Sequence, residues 1–305
     1  MSAQQPIIHS IFEPRTSTWQ YIVADPKTLG AVIIDSVLDI DPATLKLSSQ
    51  SADGLLQIVR QHGYRVEKIL ETHAHADHVT AAAYLQNRLE SESGRRPTIG
   101  IGRRIVQVQA HFGAQYQIAA SEYENAFDHL FQDDEIFQIG ALQAKIMHLP
   151  GHTPDHVGYQ IGENVFAGDS IFNVDVGSAR ADFPGGSAES LYSSKTKILS
   201  LPDNVKLWVG HDYPPSGRDD ALACATVADH RAQNKHFKDS ITKEDFVALR
   251  STRDMTLSEP KLLHHALQMN IRGGRLPTPD ASGKRLLHLP LKMDASADQL
   301  FGSNL

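Results

Sequence analysis

The chain has 305 residues, 41% of them hydrophobic and 21% charged, enough to bury a core in one large domain or two modest ones. A net charge of -7 without any Lys/Arg-rich block excludes tight nucleic-acid binding, because neutralising phosphates takes clustered cations. No apolar run reaches the roughly 18 residues of a membrane span, and Cys224, the only cysteine, excludes an internal disulfide, a thiolate metal cluster and a CxxC redox pair.

The polar opening, Met1 to Pro6, has neither an apolar signal core nor an Arg-rich presequence, so a cytoplasmic form is expected, with the mitochondrial matrix left open. Ile7 to Asp35 reads as short strands, with Tyr21–Ala24 and Ala31–Asp35 forming a hairpin around Asp25-Pro26 that ends in an aspartate. Pro42 to Leu47 reads as a turn. Leu55, Leu56 and Val59 put a helix over Ala52–His62, closed by Gly63. Val66–Thr72 is a buried strand, Thr80–Glu92 a helix and Pro97–Gly102 another strand, whereas Val106–Glu124 fits no class. Glu135–Gly140 and Leu142–Leu149 alternate as half-buried strands do, and Val157–Ile161 and Asn164–Ala167 follow. Ala188–Leu199 is an amphipathic helix, Lys206–Gly210 a last strand, and Asp219–Leu267 helical with charged faces. Strand pairs followed by a helix, twice along the chain, suggest two facing sheets with helices outside. The expected division is a catalytic domain over 1–277, with a core at 7–213 and a helical part at 219–277, followed by a Gly/Pro-rich surface tail at 278–305.

The strongest chemical signal is Thr72-His73-Ala-His75-Ala-Asp77-His78, directly after an apolar strand. In a loop, residues two apart can turn toward one cavity, and imidazole with carboxylate is a donor set for zinc, iron or manganese. Pro150-Gly-His152, Gly168-Asp169 and Gly210-His211 each follow a strand as well. Any one of these alone is more often a turn. Four strand ends offering His, His, Asp and His describe a site on one edge of a sandwich.

In these motifs the chain resembles the metallo-β-lactamase superfamily over Ile7 to Tyr213, and the resemblance implies an αββα sandwich. Two chemistries then compete. In one, all seven positions hold two zinc ions that share Asp169 and activate water against a thioester, as in glyoxalase II-type hydrolases. In the other, His73, His152 and Asp169 hold one Fe(II) per chain, and His75, Asp77, His78 and His211 support the ligands and carry protons. The stretch Ser178-Ala-Arg180-Ala-Asp182-Phe183-Pro-Gly-Gly186, with Ala167–Phe172 and Asn270–Pro277, is similar to persulfide dioxygenases. That similarity implies an iron enzyme oxidising glutathione persulfide with O₂ to sulfite and glutathione, with zinc or manganese entering by misloading. A non-catalytic metal-containing binding module is the remaining alternative. The partners so implied are glutathione persulfide and O₂, with neither nucleic acid nor membrane, and a homodimer is allowed as the assembly.

Arg180 is a candidate for holding a substrate carboxylate, against the plainer reading that it pairs with Asp182 and braces its loop. Tyr192 is either a core aromatic or a hydroxyl donor to the substrate. Asp155 departs from the small residue common among relatives and places a charge expected to alter the cavity rim. His156 reads as a structural or rim residue, His264-His265 as surface, and Cys224 as a buried small residue.

Overall fold

Apolar alternation in the N-terminal third becomes strand structure in the computed structural model, which describes residues 5–293. β1 (Ile7–Glu13), β2 (Thr18–Ala24) and β3 (Gly30–Ile34) form an antiparallel meander that pairs Ile7 with Ala24 and Tyr21 with Ile34. β4 (Val37–Asp41) pairs with β5 (Lys46–Ser48), so the expected turn at Pro42–Leu47 runs into a short strand. α1 (Gln50–His62) buries Ala52, Leu55, Leu56 and Val59 and stops at Gly63, whose φ of 67° gives the left-handed cap. β6 (Arg65–Leu70) returns parallel to β3, and β7 (Val79–Thr80) pairs with β4. Then come α2 (Ala82–Ser93), β8 (Thr98–Gly102), α3 (Ile105–Gln115) and β9 (His129–Phe131), with β6, β8 and β9 mutually parallel.

The second half repeats the logic. β10 (Ile136–Ile139), β11 (Leu142–His148), β12 (Val157–Ile161) and β13 (Asn164–Gly168) form an antiparallel meander. α4 (Ala188–Leu199) begins at Ser187, whose side chain accepts the Ser190 N–H, and leads to β14 (Lys206–Val209), parallel to β13. The stretch expected to be helical over Asp219–Leu267 opens instead with an edge strand, β15 (Cys224–Thr226). It then breaks into α5 (Val227–Gln233), α6 (Lys243–Asp254) and α7 (Leu263–Asn270), because the Thr226/Asp229 capping box and the Thr242 cap start new helices. Residues 271–293 carry no helix or strand, and 294–305 of the expected tail, like 1–4, lie outside the described residues.

Two six-stranded sheets result, in the orders β1-β2-β3-β6-β8-β9 and β10-β11-β12-β13-β14-β15, beside a small β5-β4-β7 sheet. Their facing sides form one apolar layer in which Tyr21, Ile34 and Phe131 meet Phe137, Tyr159 and Phe166. Each such buried side chain contributes roughly 1.5–3 kcal/mol of transfer free energy. α1, α2, α3 and α7 cover the outer face of the first sheet, and α4 to α6 that of the second, which makes an αββα sandwich. Buried hydroxyls tie the sheets together: Tyr21 donates to the Val209 carbonyl at 2.5 Å and Tyr159 to that of Glu71 at 2.6 Å. Backbone bonds cross the same seam, from Trp19 N–H to the Gly210 carbonyl and from Val157 N–H to that of Thr72, both 2.8 Å. Among the described residues no helix is long and apolar enough to cross a membrane.

Candidate metal centre

β6, β11, β13 and β14 all run out at this seam, and each passes into a loop bearing donor side chains. β6 leads to His73, His75, Asp77 and His78, β11 to His152, β13 to Asp169 and β14 to His211. All seven positions singled out in the sequence therefore reach one region. Glycine allows the approach: a Cβ on Gly210 would lie 2.4 Å from Asp169 Oδ1, and one on Gly168, whose φ is 48°, 2.6 Å from Thr72 Oγ1.

The donors form two adjoining groups. His73, His152 and Asp169 bring ligand atoms within 4.8 Å of one another, and so do His75, Asp77 and His78. His211 joins them, its Nε2 lying 3.0 Å from Asp77 Oδ2 and 3.6 Å from Asp169 Oδ1. His73 Nε2, His75 Nδ1, His78 Nε2 and Asp169 Oδ1 are buried without a hydrogen-bond partner. Buried polar atoms left this way cost free energy unless something binds them, and imidazole nitrogens with carboxylate oxygens are what zinc, iron or manganese takes. The residues fit a metal centre.

Electrostatics agree for His73 and Asp77. Burial, reinforced by neighbouring His75 and His156, pushes His73 well below the ordinary histidine value and keeps it in the neutral form a metal needs. Burial would raise Asp77, but His211 and His78 outweigh it and hold the carboxyl low. His75 runs the other way: burial is overcome by Asp35 and Glu71, which lift its pKa, so a metal there has to displace a proton that these carboxylates hold.

The second nitrogen of each imidazole has a defined partner, which sets the tautomer and aims the ligand. His73 Nδ1 lies 2.9 Å from Thr72 Oγ1, and His152 Nδ1 donates to the Arg180 carbonyl at 2.8 Å. His75 Nε2 lies 3.2 Å from Asp35 Oδ1 and 3.1 Å from Glu71 Oε2. Asp35, at φ 51°, also accepts the Thr72 N–H at 2.7 Å. Asp155 is fully buried and accepts the Ala74 N–H at 2.9 Å, so the residue expected at the cavity rim is instead a strut beneath the metal loop. His156 is buried too, its Nε2 accepting the Asp169 N–H at 3.0 Å. Asp35, Glu71 and Asn270, which reaches the same loop from α7, were not among the candidate site residues, although Asp35 ends the expected hairpin and Asn270 opens the Asn270–Pro277 stretch. Glu71 had a local signal in standing two residues before His73, whereas Asn270 had only its place at the head of that stretch.

A cavity of about 650 Å³ opens over the centre, with Asp77, His152 and Asp169 in its lining. Arg180 lines it as well, but its Nε and Nη2 donate to Asp182 at 2.5 and 2.6 Å and its Nη1 to the Ser258 carbonyl at 2.8 Å. Tyr192 donates to the Ile241 carbonyl at 3.1 Å and packs on Phe246, which commits its hydroxyl to the contact between α4 and α6. Arg15, Arg253 and Lys261 line the cavity with side chains that make no ion pair or hydrogen bond among the described residues. His264 and His265 are half-buried rather than on the surface, His264 bonding Tyr116 at 2.8 Å. Cys224 is half-buried on β15, where burial raises its thiol pKa.

Residues 14–211 match the model of the metallo-β-lactamase superfamily. A β-lactamase hydrolase-like protein of Agrobacterium fabrum is 44% identical over 95% of this chain, which spans 66% of that relative's length. Glyoxylase B2 of Dictyostelium discoideum is 42% identical over 92% of this chain and 94% of its own. The mitochondrial persulfide dioxygenase ETHE1 of Bos taurus is 28% identical over 90% of both chains.

Proposed function

The chain belongs to the metallo-β-lactamase superfamily, and on that premise we propose that it is a two-metal hydrolase acting on a thioester with an anionic thiol half. One observation carries the reading: the buried, partnerless donor atoms fall in both groups, on His73 and Asp169 and equally on His75 and His78. A single ion on His73, His152 and Asp169 leaves the last two unsatisfied. Two ions, one at each group, would draw on them all. Bound there, the metals supply Lewis acidity toward the carbonyl and a water of lowered pKa.

The chain's own residues do the rest. Thr72, Asp35, Glu71 and the Arg180 carbonyl hold His73, His75 and His152 with one nitrogen turned to the centre. Apolar Ile40, Phe172, Val176 and Leu262 line the same cavity as Asp169, while Arg15, Arg253 and Lys261 supply unpaired positive charge for carboxylates. A glutathione thioester has that shape: a charged arm and a thioester to be placed over the metals. The relatives named hydrolase-like and glyoxylase support the same class.

A second reading, iron-dependent persulfide dioxygenase, has its own support. His73, His152 and Asp169 by themselves form a two-histidine, one-carboxylate face, the Ser178–Gly186 motif is dioxygenase-like, and the ETHE1 likeness extends over 90% of the chain. Iron bound there would supply the redox chemistry toward O₂. Metal analysis of protein purified without added metal, assayed in parallel for thioester hydrolysis and for O₂ uptake with glutathione persulfide, separates the two. Two metals per chain with hydrolysis and no O₂ uptake is the result expected. One iron per chain with O₂ uptake overturns the hydrolase reading in favour of the dioxygenase.

A further inference from the structure

We propose that Asn270, at the C-terminal end of α7, is a positioning residue of the metal centre. The loop between β6 and β7 carries His73, His75, Asp77 and His78 with no ladder partner for its backbone, so its carbonyls need bonds from elsewhere. Asn270, 3% exposed, supplies them: its Nδ2 donates to the carbonyls of His75 and His78, both at 2.8 Å. Its Oδ1 accepts the Thr80 N–H at 2.9 Å, so one side chain spans the loop from His75 to the start of β7 and brackets Asp77 and His78.

The chemistry of these partners demands an amide. Two carbonyls ask for two N–H groups and one N–H asks for an oxygen; a carboxylate offers no donor and a methyl group offers nothing. Asn270 is itself held in place. Gln109 donates to the Ile271 carbonyl at 2.9 Å, and Gly274 packs so tightly that a Cβ there would lie 2.8 Å from the Thr80 carbonyl. α7 lies outside the segment 14–211 that matches the superfamily, so a helix beyond the matched core sets the loop carrying four of the seven donors. The inference concerns ligand placement and stands under either reading of the reaction.

The test is a Co²⁺ titration of chelator-stripped protein, following the visible absorption band and the dissociation constant. Asn270→Asp and Asn270→Ala are expected to bind Co²⁺ about 10- to 100-fold more weakly, with an altered band, as loss of ligand-supporting bonds does elsewhere. Leu267→Ala, a buried change on the same helix that touches no loop bond, should lower Tm and leave affinity and band unchanged. Ile271→Val serves as the control if Leu267→Ala does not fold. Asn270 variants with wild-type affinity and band overturn the proposal. So does a control that shifts both as far, since the effect would then be general loosening.

Discussion

Replacing Arg180 by alanine decides what its guanidinium does. By residue type and place it suits a substrate carboxylate, yet among the described residues its side-chain hydrogen bonds go to Asp182 and to the Ser258 carbonyl. The two side chains of the ion pair are 22% and 35% exposed, so solvent screens it to about 0.5–1 kcal/mol. The charged bond to a carbonyl adds roughly 1.5 kcal/mol. Together these give about 2 kcal/mol, or a fall in Tm of roughly 4–8 °C at about 2–4 °C per kcal/mol. Asp182→Asn should lose about a quarter to a half as much, because the Ser258 bond survives, and the double variant should lose less than the sum of the two. The Arg180 carbonyl orients His152, so kcat should fall by a similar factor for charged and uncharged thioesters, without a selective rise in KM for the charged one. Thermal melts and kinetics with both substrates on the same preparations test this. An unchanged Tm with KM raised tenfold or more for the anionic substrate alone would refute the brace and restore the substrate role.

Gly210→Ala should reduce metal content without touching any ligand, because its Cβ would lie 2.4 Å from Asp169 Oδ1 and force that carboxylate aside. Elemental analysis checks it, and full metal content in a folded variant would count against the crowding argument. Burial holds His230 on α5 down to about 4, against the pull of Asp229. An unfolded imidazole titrates near ~6.5, so the unfolded chain takes the proton first and stability is lost as pH falls from about 6.5 toward 4. In metal-free protein, His230→Gln should show a flatter fall of Tm across that window; parallel curves would show that His230 contributes nothing to it.

The layers of the fold were readable because period-two alternation survives wherever a strand has one wet face, as in β10 and β11. β9 and β15 escaped because three residues cannot show a period. α3 escaped because its buried side includes Gln109 and Gly113 while Val106 faces water, which blurs the apolar stripe. The seven donors were legible as a string and as strand-end residues. Their supports were not: Asp155 and Asn270 act through single side chains on backbone groups remote in sequence, and nothing local marks such a bond. Arg180 and Asp182 stand two residues apart, so their pairing could be anticipated. The number of metals could not, since both chemistries draw on the same imidazoles and carboxylates.

His73, His75, Asp77 and His78 hang from the first sheet, and His152, Asp169 and His211 from the second. An ion shared between them is therefore a rivet through the sandwich, and the unfolded chain has no comparable place for it. At free metal a thousandfold above its dissociation constant, the linkage is worth about 4.1 kcal/mol, a large part of the stability of an ordinary domain. The same ion would then set both reactivity and lifetime.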